Sequence, residues 1–124
     1  MQIKELMKRP YVVEKDISLA EAAKIMSSKS IGSLIMVNGG KAKGIITESD
    51  LLKNFGKSKN ISQIMSKNII SISEEGNVED ALKLMKENKI KRLPVVDEKK
   101  KLSGIVSMTD IAANVDKLDG EFFF

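Results

Sequence analysis

The chain has 124 residues, a net charge of +4, no cysteine and no histidine, with apolar and charged fractions of 42% and 31%. That length suits one compact domain or two joined halves with a sizeable core. The missing residues exclude disulfides, thiol nucleophiles, Ser-His-Asp catalysis and the usual zinc sites. Catalysis would have to rest on carboxylates, lysines or bound Mg²⁺, so binding is favoured over an enzyme, and neither a metal site nor a catalytic residue is assigned. The 21 basic residues are interleaved with 17 acidic ones, and only Tyr11 and four phenylalanines could stack on bases. A solvated surface is therefore favoured over a nucleic-acid face, which normally pairs a basic groove with aromatics. The same Lys/Glu-rich, Cys-free composition suits a thermophile. Met1-Gln2-Ile3-Lys4-Glu5 brings charge before any apolar run, and runs such as Leu34-Ile35-Met36-Val37 fall far short of the about 20 residues that span a membrane. A cytoplasmic location, with no membrane partner, is the expectation.

In chain order, Ile3, Leu6 and Met7 predict a short helix over 2–8, broken by Pro10. Tyr11-Val12-Val13 reads as a brief extended segment. Ser18 and Glu21 form a capping-box pattern ahead of a helix whose apolar face is Leu19, Ala22, Ala23, Ile25 and Met26. Ser33 to Val37 reads as a strand, Asn38-Gly39-Gly40 as a turn, 42–47 as a returning strand and 49–55 as a last helix. Phe55-Gly56-Lys57-Ser58-Lys59-Asn60 has no apolar periodicity and reads as a joint.

After the joint the order begins again. Ile61, Ile64 and Met65 match Ile3, Leu6 and Met7 at an offset of 58. Val78, Ala81, Leu82, Leu84 and Met85 match the first long helix at 59, as Ile90, Leu93 and Val96 match Ile31, Leu34 and Val37. Gly104, Ile105 and Asp110 match Gly44, Ile45 and Asp50 at 60. Both steps in the offset fall in loops, where insertions are tolerated, so the chain is a duplication. The expected fold is α+β: two βαββα-type repeats related by a pseudo-twofold axis, packed sheet to sheet with clefts between them. The first repeat is set at 1–57 and the second at 58–117. The tail 118–124 repeats nothing, and Phe122-Phe123-Phe124 either folds back over the core or offers a patch to a partner.

Two copies of one motif, Gly44-Ile45-Ile46-Thr47-Glu48-Ser49-Asp50 and Gly104-Ile105-Val106-Ser107-Met108-Thr109-Asp110, lie where the last strand gives way to the last helix. Thr47, Ser49, Ser107 and Thr109 offer hydroxyls, and Asp50 and Asp110 could accept the vicinal hydroxyls of a ribose. A plainer reading competes: Thr47-x-x-Asp50 and Ser107-x-x-Asp110 are capping boxes, and the glycines serve a turn or a close backbone approach. Lys91 and Arg92 enter the second repeat's middle strand where the first has Gly32-Ser33. They suit either a phosphate or a solvated strand edge.

The tandem pattern resembles a pair of cystathionine-β-synthase (CBS) domains. The residues that carry the resemblance are Met7 and Met65, Leu19-x-x-Ala22 and Val78-x-x-Ala81, Ile31-x-x-Leu34, Ile90-Lys91-Arg92-Leu93-Pro94-Val95-Val96 and the two glycine-to-aspartate motifs. The resemblance implies a stand-alone, non-catalytic, homodimeric sensor of AMP, ADP, ATP or S-adenosylmethionine that acts on a regulated partner protein; some members bind nucleic acid or Mg²⁺. It assigns Thr47, Ser49, Asp50, Ser71, Ile90, Lys91 and Arg92 to a first nucleotide cleft. Ser107, Thr109, Asp110, Val13, Ile31, Gly32 and Ser33 fall to a second. Val13 stands where the family often has a hydroxyl, and Gly32-Ser33 replaces the basic pair. The second cleft is thus left weaker, suited to a less anionic ligand, or vestigial. Glu48 discourages extra phosphates, which favours AMP or ADP over ATP. The rival reading is a nucleic-acid-binding regulator that uses the lysine-rich surface.

Overall fold

A computed structural model describes residues 1–114 and 116, so the aromatic tail lies outside the described residues. The element order is α1 (Ile3–Leu6), β1 (Val12–Val13), α2 (Leu19–Lys29), β2 (Ser33–Asn38), β3 (Lys41–Thr47) and α3 (Glu48–Asn54). A 3-10 turn (Ile61–Gln63) follows, then β4 (Ile72–Ser73), α4 (Val78–Asn88), β5 (Arg92–Val96), β6 (Leu102–Ser107) and α5 (Met108–Ala113). The fold is α+β, with two three-stranded sheets of order β1-β2-β3 and β4-β5-β6.

The duplication extends to hydrogen-bond register. Leu34 faces Ile46 and Met36 faces Gly44, as Leu93 faces Val106 and Val95 faces Gly104. Each middle strand pairs parallel with a two-residue strand, and each carries a bulge at the same place, between Met36 and Val37 or between Val95 and Val96. The later step in the offset lies in the hairpins. Asn38 pairs directly with Lys41 across Gly39 and Gly40, whose φ values of 61° and 78° suit a two-residue turn that needs positive φ at both positions. The second hairpin is one residue longer and winds around Asp97, whose carboxylate accepts from the Lys99 and Lys101 amides at 2.8 and 3.0 Å. Pro94 takes the place of Ile35; the Ile35 amide bonds the Tyr11 carbonyl at 3.0 Å, and a proline has no N–H to do the same.

The long helices follow their caps. Ser18 accepts from the Glu21 amide at 3.0 Å and Asn77 from the Asp80 amide at 2.9 Å. Both helices close on a left-handed residue, Ser30 or Lys89.

The compact units are not simply the sequence repeats. One unit is Met1–Pro10 with the chain from Ile70 onward, and the other is Tyr11–Ile69. The leading segment of each repeat is thus built into the unit that holds the other repeat's sheet. In the first unit, Ile3 and Leu6 are buried in a core with Ile72, Val78, Ala81, Met85, Leu93, Val95, Val106 and Ile111. Lys8 and Ile105 exchange backbone hydrogen bonds at 2.9 Å each way. In the second, Ile61 is buried with Ile17, Leu19, Ala22, Met26, Leu34, Ile46 and Leu51, and Ser66 and Ile45 make the same exchange. The leading helix predicted over 2–8 is only Ile3–Leu6, with Met7 already extended, and its counterpart is a single 3-10 turn. Docking explains the shortness. The Ile3 and Lys4 amides bond Gly76 and Glu74 carbonyls and the Ile61 amide bonds Ile17, so these backbones are satisfied by the sheet-bearing unit instead of by further helical turns.

Docking also explains the motif glycines. A Cβ at Gly104 would overlap the Met7 side chain, and one at Gly44 the Met65 side chain. The reason is a methionine side chain packed across each glycine, and neither the turn nor the close backbone approach expected. Gly104→Ala should destabilise the protein by about 1–3 kcal/mol as an overpacked site. Adding Met7→Ala should cost less than the two single changes summed, because they share one contact; urea unfolding of the four-member cycle checks this. Asp16 ties the loop before α2 to the 3-10 turn. The Ser62 hydroxyl and amide donate to its carboxylate at 2.5 and 3.0 Å, the hydroxyl foremost in holding its pKa below the ordinary 3.8. The stabilisation is therefore complete above that ordinary value and lost as pH falls through the lower, folded one. Asp16→Asn should cost under about 1 kcal/mol at neutral pH, as exposed contacts do, and should flatten the acid limb of a thermal-melt pH series.

Candidate functional site

Each motif occupies the junction of a last strand with a short last helix, β3 with α3 and β6 with α5. The expected capping boxes form. Asp50 Oδ2 accepts from the Thr47 amide at 2.9 Å and hydroxyl at 3.0 Å, and the Asp50 amide donates back to Thr47 Oγ1 at 3.3 Å. Asp110 Oδ2 accepts from the Ser107 amide and hydroxyl at 3.0 and 2.9 Å, and its amide donates to Ser107 Oγ at 3.1 Å. Asn54 and Asn114, which the motif analysis did not single out, close these short helices by donating to the Asp50 and Asp110 carbonyls at 2.7 and 2.8 Å. Ser49, Thr109 and Met108 point to solvent, while Thr47, Ser107 and Asp50 are half-buried.

Within a unit, each motif stands beside the segment that enters its middle strand. Ser33 pairs with Thr47 and the Glu48 amide bonds the Gly32 carbonyl at 3.1 Å; Arg92 pairs with Ser107 and the Met108 amide bonds the Lys91 carbonyl at 2.9 Å. Thr47, Ser49 and Asp50 share their unit with Val13, Ile31, Gly32 and Ser33, and Ser107, Thr109 and Asp110 share theirs with Ser71, Ile90, Lys91 and Arg92. Ile31 and Ile90 pack against the cores. Val13 faces Met36 as Ile72 faces Val95, so Val13 is the equivalent of Ile72, and Ser71 that of Val12. The Val13 side chain packs on its core, as Ile72 does, and brings no polar group to the motif.

The two carboxylates differ in one contact. Asp110 Oδ1 lies 2.8 Å from Lys8 Nζ, with the aspartate side chain 7% exposed and the lysine 74% exposed. The Asp110 hydrogen bond, and then its charge, hold the Lys8 ammonium above its ordinary pKa of 10.5. Lys8 was missed because 102 positions separate it from Asp110; the signal was that its repeat counterpart is Ser66, which carries no charge. Among the described residues no hydrogen bond or ion pair reaches Asp50 Oδ1. No group of three or more potential metal ligands occurs among the described residues, and no described helix is long and apolar enough to cross a membrane.

Two repeats with matching registers and paired capping motifs define a duplicated α+β domain pair, and the sequence matches the CBS domain over residues 3–57 and again over 61–117. The chain belongs to the CBS domain family. It is 37% identical over 106 residues to an uncharacterized 17.7 kDa protein of Acidianus ambivalens, covering 82% of this chain and 65% of that one. It is 35% identical over 118 residues to inosine-5′-monophosphate dehydrogenase of Methanocaldococcus jannaschii, covering 89% of this chain and 24% of the enzyme. Both matches span less than two thirds of the relative. The CBS domain pair of protein MJ0100, solved in complex with 5′-methylthioadenosine and S-adenosyl-L-methionine, superposes with a TM-score of 0.88 at 33% identity, covering 95% of this chain and 98% of that one. The two matched CBS domains fill most of the chain, and no catalytic domain is evident in it.

The caps predict a graded loss on substitution. Lys8→Met should cost under about 1 kcal/mol, because the lysine end of the pair is solvated. Asp110→Ala should cost about 1–2 kcal/mol, because it removes the reciprocal half of the capping box and leaves the Ser107 amide without its acceptor; urea midpoints at constant slope distinguish the two.

Proposed function

We propose that the chain is a regulatory module that binds an adenosine-containing ligand at the Thr47–Asp50 motif, with AMP or ADP the favoured nucleotides, and passes its occupancy to a partner. The observation that carries this reading is Asp50: one oxygen completes the helix cap, and the other is left to accept a ribose hydroxyl. Family membership supports it, as do the ligands of the MJ0100 domain pair, both of which contain adenosine. Half-buried Ile45 borders the motif and suits the apolar wall of a base, whereas Ile46 is taken up by the core, and exposed Glu48 disfavours a long phosphate chain. In this reading the chain works as a homodimer and the relay is a population shift, in which ligand favours one arrangement of the protein that a partner recognises.

Thermal melts against AMP, ADP, ATP, S-adenosylmethionine and 5′-methylthioadenosine test the reading. A ligand at 100 times its Kd should add about 2.7 kcal/mol of stability. Absence of any shift at millimolar concentration contradicts it, and binding of nucleic acid with a steep salt dependence in its place would favour the rival regulator. Asp50→Ala should weaken the ligand about tenfold or more, the worth of a charged hydrogen bond. A greater loss for AMP than for adenosine in Arg92→Ala would extend the site to Lys91 and Arg92; equal losses would leave them outside it.

A further inference from the structure

The two motifs share backbone register, cap geometry and the asparagine that closes the helix, so a difference in what they bind comes from side chains, either within the motif, as Glu48 against Met108, or added around it. One such side chain touches a motif carboxylate. Lys8 docks on β6 at Ile105 just as Ser66 docks on β3 at Ile45, by a two-way backbone exchange. The two residues are therefore structural equivalents, and each projects from the same place relative to its motif. With serine there, no described residue engages Asp50 Oδ1, whereas lysine puts an ammonium 2.8 Å from Asp110 Oδ1.

We infer that Lys8 is a specificity-determining latch: its ammonium occupies the Asp110 oxygen that would otherwise accept a ribose hydroxyl, so the chain binds one adenosine ligand, at Asp50, and not two. This rests on the proposed reading of the Asp50 motif and assigns the second motif a closed state. Both Asp110 oxygens are committed, Oδ2 to the cap and Oδ1 to Lys8, and only 7% of the side chain reaches solvent. A ribose hydroxyl reaches Asp110 Oδ1 only by breaking the 2.8 Å contact with the ammonium, beside a carboxylate whose side chain is otherwise packed away from solvent. Lys8 stays charged at any pH used for binding, since its contact with Asp110 raises a pKa that is ordinarily 10.5. The latch is also separable from the fold: the docking bonds of residue 8 are backbone bonds that any residue but proline can make, and the lysine side chain is 74% exposed.

The test is binding stoichiometry by calorimetry with 5′-methylthioadenosine, which carries the ribose diol but no charge. Removing Lys8 then changes access to Asp110 and not long-range attraction. Wild type should bind one ligand per chain and Lys8→Ser two, with Lys8→Met, which keeps the aliphatic stem, as the second variant. Adding Asp50→Ala to Lys8→Ser should return the count to one. Ser66→Lys should latch the first motif and weaken the wild-type site at least tenfold. A wild-type count of two, or a count that stays at one in both Lys8 variants, overturns the latch and leaves the proposed function standing. Binding by neither wild type nor the Lys8 variants overturns both. Binding by the Lys8 variants alone, one per chain, retains the latch and removes the ligand from Asp50.

Discussion

Met7 lies across Gly104 and Met65 across Gly44, so closely that neither glycine has room for a Cβ. Everything else in each unit depends on that approach. The methionine anchors a leading segment that contributes Ile3 and Leu6 to one core and Ile61 to the other, each at most 5% exposed. In both cases the segment comes from the opposite repeat. Neither repeat completes a unit from its own contiguous residues, so the duplication is a folding requirement as much as an evolutionary record: about 60 residues of one copy leave a sheet with an uncovered apolar face, and small domains have little stability to spare.

Upon that shared frame the two copies have kept geometry and changed chemistry. Registers, bulges, capping boxes and the closing asparagines correspond position by position. The charged residues do not: Lys91 and Arg92 replace Gly32 and Ser33, and Lys8 replaces Ser66. These exchanges sit beside the motifs and outside the buried cores, where a new charge costs little folding energy and changes what a neighbouring carboxylate can hold.

Local rules carried most of the fold. Ser18, Thr47 and Ser107 cap as their spacing predicts, Asn38-Gly39-Gly40 turns the hairpin, and α3 ends at Asn54 beside Gly56, whose φ is 81°. The exchange of leading segments was illegible because an offset of 58 between Ile3 and Ile61 is the same whether each segment packs on its own repeat or on the other. The leading helix was overread for the same reason: its apolar spacing reports burial, while its length is limited by hydrogen bonds to Glu74 and Gly76, far along the chain. At the site, sequence spacing found both aspartates and both hydroxyls but not what separates them, since a contact between Lys8 and Asp110 exists only once the segments are exchanged. The shift that aligns Ser71 with Val12 was hidden in a loop and appeared only in the ladder register.

The most direct measurement is the position of the ribose in a crystal structure of the chain grown with 5′-methylthioadenosine. The account predicts the ribose diol within hydrogen-bond distance of Asp50 Oδ1, with the Lys8–Asp110 pair intact. A ribose bound to Asp110 with Lys8 turned away, or a ligand that touches neither motif, would contradict it.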